Sequence, residues 1–240
     1  GRPFPRAKTR LHDSGMKTAL VAHWPEGIRS RGAEASGLVS VIDLAPTLLA
    51  AAKIPAPESF QGVSLQPVFS DPGKIVRDFA FSEHNWHDYE AHGRSIRDNE
   101  GHLYIINRRP QFAWQGPADS VRSPSHQSLL KKKNAGQLSP AQQDVLLAPR
   151  KETEFFDSRK DPLQLNNRSG DEQVQNREST LRGKLLQWIR ETGDSIPEKI
   201  SEDSFDRQSG DRLENEKYRF TTPGEDRKAS RINHSGPIRN

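Results

Sequence analysis

Lys8 sits between Arg6 and Arg10 in a short basic stretch that also holds Pro3 and Pro5. A lysine on a short loop at the end of a sheet can hold a sulfate, phosphate or carboxylate, because its ammonium offers three donors and a full charge. An isolated lysine can equally be a solvated cation, and both readings stand at this point. The second chemically rich stretch is Ser82-Glu83-His84-Asn85-Trp86-His87-Asp88-Tyr89-Glu90-Ala91-His92. Its histidines, acids and aromatic rings suit a polar ligand such as a sugar, with ring faces for stacking and His or carboxylate groups for hydroxyls and proton transfer. The alternative is a surface loop of ordinary polar residues. His84, His87 and His92 match no tight metal-ligand spacing, so no metal site is read from them. Arg94 and Arg97 follow on a strand and are read as sharing one face, opposite Ile96, where one of them faces a pocket or both pair with surface acids. Lys131-Lys132-Lys133 reads as a solvated helix end. Asn167-Arg168-Ser169 fits the glycosylation triplet, which is too common to carry weight alone.

Several chemistries are excluded. The chain has no cysteine, so it holds no disulfide, Cys–zinc site or cysteine nucleophile. It has no phosphate-cradling glycine loop, nucleophile elbow or zinc motif. Acidic and basic residues are mixed along the chain and the net charge is only +4, which does not favour nucleic acid. No apolar run approaches the roughly 18 residues of a membrane span, and no signal peptide is visible.

These residues need elements to position them. Hydrophobic content of 32% and mean hydropathy of −0.88 fit a globular part with polar loops and a tail. Thr18-Ala19-Leu20-Val21-Ala22-His23-Trp24 is nearly continuous in apolar character, which predicts a strand buried on both faces. Asp43 is an expected N-cap for a helix whose apolar face is Leu44, Leu48, Leu49 and Ala52. Phe79-Ala80-Phe81 predicts a short strand. Arg94-Ser95-Ile96-Arg97 and His102-Leu103-Tyr104-Ile105-Ile106 predict a hairpin turning at Asp98-Asn99-Glu100-Gly101. Weak helices are expected at 125–133 and after Ser139-Pro140, a strand at 152–156, and the longest helix at 174–192, with Leu181, Leu185, Trp188 and Ile189 at helical spacing.

The order of motifs resembles the C-terminal half of the sulfatase family. It runs through Lys8-Thr9, Asp13-Ser14-Gly15, Leu20-Val21-Ala22-His23-Trp24-Pro25-Glu26-Gly27-Ile28, Val41-Ile42-Asp43-Leu44-Ala45-Pro46-Thr47-Leu48-Leu49 and Phe60-Gln61-Gly62-Val63-Ser64-Leu65. It continues through Arg94-Ser95-Ile96-Arg97, Glu154-Phe155-Phe156-Asp157 and Lys160-Asp161-Pro162, covering roughly residues 1–193. Gly1-Arg2-Pro3-Phe4-Pro5, the His84-rich stretch and Ser123-Pro124-Ser125 bring it nearest to the sulfamidases, the heparan N-sulfatases.

The resemblance implies an α/β fold: the C-terminal part of an alkaline-phosphatase-like sulfatase fold over residues 1–75. A small α+β domain with a short antiparallel sheet and a long C-terminal helix would follow over 76–195, then a disordered tail over 196–240. It implies hydrolysis of a sulfate ester or sulfamate on a sugar or glycosaminoglycan, with N-sulfoglucosamine the expected substrate. The nucleophile would be a formylglycine, made upstream in a C/S-x-P-S/A-R motif and bound to calcium whose ligands include a pair just before Gly1. Neither lies in this chain, which is therefore expected to be inactive alone. Lys8 takes the place of the family's sulfate-contacting cation, and His84 falls on a substrate-contacting loop, with His87, Asp88 and Arg94 as further sugar contacts. His12 departs from the family's usual tyrosine. Secretion, or a periplasmic or lysosomal location, is implied, as is a homodimer. A noncatalytic sugar-binding fragment, an O-specific arylsulfatase-like enzyme and a phosphodiesterase-like member of the same superfamily are the alternatives.

Overall fold

The computed structural model describes residues 5–214 and 222–232. Residues 1–4, which open the sulfamidase-like stretch, and 215–221 and 233–240 of the expected tail lie outside the described residues. Helices are α1 (Asp13–Met16), α2 (Leu44–Ala51), α3 (Gln66–Ser70), α4 (Ala118–Val121), α5 (Pro124–Asn134), α6 (Pro140–Gln143) and α7 (Gln175–Glu191). Strands are β1 (Phe79–Trp86), β2 (Glu90–Asp98), β3 (His102–Asn107) and β4 (Thr153–Asp157). They form one antiparallel sheet in the order β1-β2-β3-β4.

The expected hairpin forms because the turn is closed chemically. Gly101 takes φ +88°, a region open to glycine at no steric cost. Asp98 Oδ1 accepts from the amides of Glu100 and His102, both at 2.9 Å. From there, side chains alternate between two faces. Phe81, Ile96, Tyr104 and Phe155 align across the four strands. Ile96, Tyr104, Ile106 and Phe155 pack under Leu181, Leu185 and Trp188 of α7. Leu103, Ile105 and Phe156 face the other way and pack with Leu11 and Trp114. The loop of residues 5–12 therefore lies on the sheet face that α7 leaves open.

Alternation also corrects the reading of the two arginines. Residues three apart on a strand face opposite ways. Arg94 shares the α7 side with Ile96 and pairs with Asp194, whereas Arg97 pairs with Asp13 on the other side.

The first 75 residues depart most from expectation. Residues 17–24 form no regular element and join no ladder among the described residues, and Val21 is 91% exposed. An apolar run becomes a buried strand only where neighbouring strands satisfy its amides; here none is offered. The expected apolar face of α2 is likewise open, with Leu48 70% exposed, while Pro46 and Thr47 are the buried positions. Asp43 does not cap α2. Instead its carboxylate takes the amides of Ser40 and Val63 and the guanidinium of Arg77, all buried or nearly so. Thr47 Oγ1 donates to Asp43 O and accepts from Leu65 N at 2.8 Å. A Cβ on Gly62 would stand 2.0 Å from Ile42 O, so the strap carrying Val63 closes only over a glycine.

The part of the expected disordered tail that is described is not free. Glu202 O, Asp203 and Asp206 O accept from Trp86 Nε1, Glu90 N and Tyr89 OH at 2.8, 2.7 and 3.1 Å. Ser195 Oγ accepts from Gly224 N at 2.8 Å. These anchors are polar, so an apolar-periodicity reading passes over them.

Shortening Leu181 to alanine should cost about 2–5 kcal/mol, the usual range for a buried leucine, read as a fall in the urea unfolding free energy. A cost near zero would mean that α7 does not seal the sheet.

Candidate functional site

Lys8 lies at the tip of a turn in which Arg10 N donates to Ala7 O at 3.2 Å. Arg6 (φ +63°) and Thr9 (φ +69°) both occupy the left-handed region, which costs a non-glycine residue on the order of 1 kcal/mol. The turn also has no room behind it: a Cβ on Gly15 would stand 2.4 Å from Ala7 O and 2.3 Å from Arg10 O. Downstream, Leu11 and His12 are buried against the sheet. The lysine tip is thus fixed from behind and open in front. Its ammonium meets the carboxylate of Asp119 on α4 at 3.0 Å, with both side chains part-exposed.

The His-rich stretch is not a loop. His84 lies on β1, His92 on β2, and only the residues between Trp86 and Glu90 turn, beside a bulge after His84. The tip of this hairpin meets the Lys8 turn through α4. Asp88 Oδ2 accepts from Ala118 N at 2.8 Å and its Oδ1 lies 3.2 Å from His87 Nδ1. Burial pushes the Asp119 carboxyl up, but its hydrogen bond to Lys8, with the charges of Lys8 and His87, leaves it below its ordinary value. Lys8, Asp119, His87 and Asp88 therefore form one electrostatic patch.

His84 stands behind this patch. Burial first, then the positive surroundings of His87, Arg94 and Arg207, pull its pKa down to about 4. It is a neutral imidazole at pH 7. His84 Nε2 and Asn85 Oδ1 are buried and take no hydrogen bond, which is uncommon in a folded protein.

Arg94 does not fit the sugar-contact role expected of it. It is buried, bonds Asp194 through Nε at 2.6 Å and Nη2 at 2.7 Å, and donates to Gly93 O at 2.7 Å. Its fork holds the end of α7 to β2 and is not left for a ligand. Asp88 is similarly engaged and orients His87. Asn167, in the glycosylation triplet, accepts from Phe155 N and Ser169 N and donates to Thr153 O.

Sequence reasoning missed Asp119, Asp144, Asp194 and Arg207. Arg207 stacks over Phe112 and Tyr89 at 3.9 and 5.0 Å and donates to Glu90 O, bracing the hairpin tip from within the expected tail. Asp144 was within reach: Ser139 and Gln142 form a capping box that starts α6 just before it, and S-x-x-Q is a sequence-level signal. Among the described residues no group of three or more His, Asp or Glu could hold a metal ion.

Comparison with known proteins follows the same outline. The family model described as N-sulphoglucosamine sulphohydrolase, C-terminal, matches residues 7–103. The chain is 30% identical over 202 residues to the ulvan-active sulfatase of Formosa agariphila, covering 82% of this chain and 33% of that protein. It is 27% identical over 204 residues to the human N-sulphoglucosamine sulphohydrolase, covering 81% and 40%. A solved structure in complex with its substrate D-glucosamine-2-N,6-O-disulfate superposes with a TM-score of 0.47 at 20% identity, covering 70% of this chain and 27% of the other. The chain thus spans 33% and 40% of the length of these two curated relatives.

The histidines set a pH dependence. Burial leads in holding His12, His84 and His92 near pKa 4, against an ordinary value of 6.5. Between those limits the unfolded chain binds more protons, so stability falls as pH drops from 6.5 toward 4. For fully buried His12 the loss by pH 5 is on the order of 1–2 kcal/mol. Urea midpoints at pH 7 and pH 5 should show it, and His12→Gln should flatten the difference; an equal pH slope in both proteins would refute the assignment.

Proposed function

The chain belongs to the sulfatase family, matches its C-terminal part and stands close to the sulfamidases; from that premise we propose that it is the substrate-facing portion of a hydrolase that removes sulfate from a sugar, with N-sulfoglucosamine as the substrate. The observation that carries the reading is the meeting of Lys8 with the His84–His87 hairpin tip across α4. The printed names of the two relatives, one active on ulvan and one on N-sulphoglucosamine, support a sulfated sugar.

In this reading Lys8 donates to the sulfate oxygens. Its partner Asp119 is 47% exposed and their pair spans 3.0 Å; such a pair is worth about 0–1 kcal/mol, so an incoming anion displaces it at little cost. As the S–N or S–O bond breaks, charge moves onto oxygens already facing a fixed cation, which lowers the barrier without reorganisation. His87, oriented through Nδ1 by Asp88, presents Nε2 toward a sugar hydroxyl. His84, half-buried behind them on β1, is the next sugar contact in this reading. In this reading the nucleophile and the calcium would be supplied by a portion of the protein outside the residues of this chain. The apolar side chains left exposed at Leu20, Val21, Leu44 and Leu48 support such a partner portion, since covering them would remove apolar surface from water. We assign the protein to a secretory, periplasmic or lysosomal compartment on the same basis.

Alone, the 240-residue chain should release no sulfate from N-sulfoglucosamine. In a longer protein carrying the upstream portion, Lys8→Ala should lower kcat by about 10²–10³, as for loss of one oxyanion donor, with Lys8→Arg recovering a large part. Sulfate release by the chain alone would overturn the division of roles, and an undiminished kcat in Lys8→Ala would overturn the role of Lys8.

A further inference from the structure

We propose that Asp144 is the positioning residue of Lys8: by holding the two arginines that flank the lysine, it keeps the turn of residues 7–10 in its left-handed, outward-facing form. The role of Lys8 as an anion contact rests on the function proposed above; the positioning itself rests on the geometry.

Asp144 follows α6 and faces three guanidinium groups. Arg6 Nε bonds Oδ2, and Arg10 Nη1 reaches the same oxygen at 3.4 Å while its Nη2 donates to Asp144 O at 3.2 Å. Arg150 Nη2 takes Oδ1 at 3.0 Å and its Nη1 donates to Asp144 O at 3.0 Å. Arg6 and Arg10 are each two residues from Lys8. One carboxylate therefore grips the turn at both shoulders, and the lysine between them is forced outward. Gln164 adds a second grip: its carbonyl accepts from Arg6 Nη2 at 2.7 Å and its side chain bonds Asp13.

Charge makes the grip depend on ionisation. Among the described residues, Arg6, Arg10 and Arg150 have Asp144 and Glu154 as their carboxylate partners, and Arg10, Arg150 and Glu154 are buried. Replacing Asp144 by a neutral isostere leaves three cations against one anion in a region that cannot solvate them. The arginine nearest solvent is Arg6, so it should leave first. The left-handed conformations at Arg6 and Thr9 persist only while surroundings impose them, and with the shoulder released they relax. The bond between Lys8 and Asp119 would then be lost. A purely structural Asp144 would destabilise the chain without a selective change at Lys8.

The test reads Lys8 directly, in the full 240-residue chain, by acetylation rate and mass spectrometry, with Lys131, Lys132 and Lys133 on α5 as internal references. Lys8 should label more slowly than those three in the parent. Asp144→Asn should speed Lys8 about threefold, the factor expected for release of a part-exposed pair, leave the α5 lysines unchanged, and be reversed in large part by Asp144→Glu. Arg6→Gln, which removes one shoulder and keeps the buried Arg10 pair, should give a smaller increase and decides the matter if Asp144→Asn does not fold. Unchanged Lys8 labelling in folded Asp144→Asn, or in Arg6→Gln where the former cannot be made, overturns the proposal. So does an equal rise at all four lysines. Inorganic sulfate is added in a separate arm: protection of Lys8 in the parent supports the anion contact. If protection is absent but the Asp144→Asn effect is seen, the anion role falls and the positioning stands; the converse result removes the positioning alone.

Discussion

Two-residue alternation in β2, β3 and β4 gives the sheet two apolar faces, and each has to be covered. Helix α7 covers one with Leu181, Leu185 and Trp188. The other is covered by Leu11, Trp114 and the chain between them and the Lys8 turn. The second cover has little apolar material of its own, so it is fixed largely by polar contacts: Arg10, Arg150, Glu154 and a neutral His12 are buried there. His12 Nε2 stands 3.0 Å from Glu154 Oε2, and Glu154 Oε1 takes Arg150 at 2.7 Å. Burial raises the Glu154 carboxyl, but the contacts with His12 and Arg150 bring it net below its ordinary value. Buried ion pairs of this kind add little net stability against an apolar alternative, yet removing one member leaves an uncompensated charge. The arrangement thus specifies one docking of the N-terminal loop more than it strengthens it.

How much could be read beforehand follows from where the signals are local. The β2–β3 hairpin, β4 and α7 were legible because turn residues and periodicity sit within a few positions of one another. The resemblance singled out Lys8 and His84 as expected contacts, and the structure brings the Lys8 turn and the His84–Asp88 hairpin together through Asp88, Ala118 and Asp119. That meeting is a long-range fact with no spacing to reveal it. The run from Thr18 to Trp24 was misread for the opposite reason: its composition is that of an interior strand, but pairing partners decide whether a strand exists. In the described part of the expected tail, Glu202, Asp203 and Asp206 accept hydrogen bonds from Trp86, Glu90 and Tyr89, and charge-rich composition is blind to such partners.

The Asp43-Leu44-Ala45-Pro46-Thr47 motif now has a physical content. Asp43 and Thr47 are its buried polar members. Together they hold Ser40, Val63, Leu65 and Arg77, which joins the opening segment to the start of β1. Gln61 extends the tie by accepting from Trp188 Nε1 at 2.9 Å. Leu44 and Ala45 between them are exposed while Pro46 is buried, so the motif's polar letters serve this chain's interior and Leu44 is left facing outward.

Asn167 carries a consequence for the order of events in a cell that glycosylates its secreted proteins. Its amide group is the rivet between β4 and the segment after it, using both oxygen and nitrogen. A transferase needs that side chain swung free and the triplet extended. Sugar attachment must therefore precede closure of β4, and a chain that folds first hides its acceptor. Occupancy at this triplet would then report the race between folding and modification, and would say little about how exposed the finished surface is.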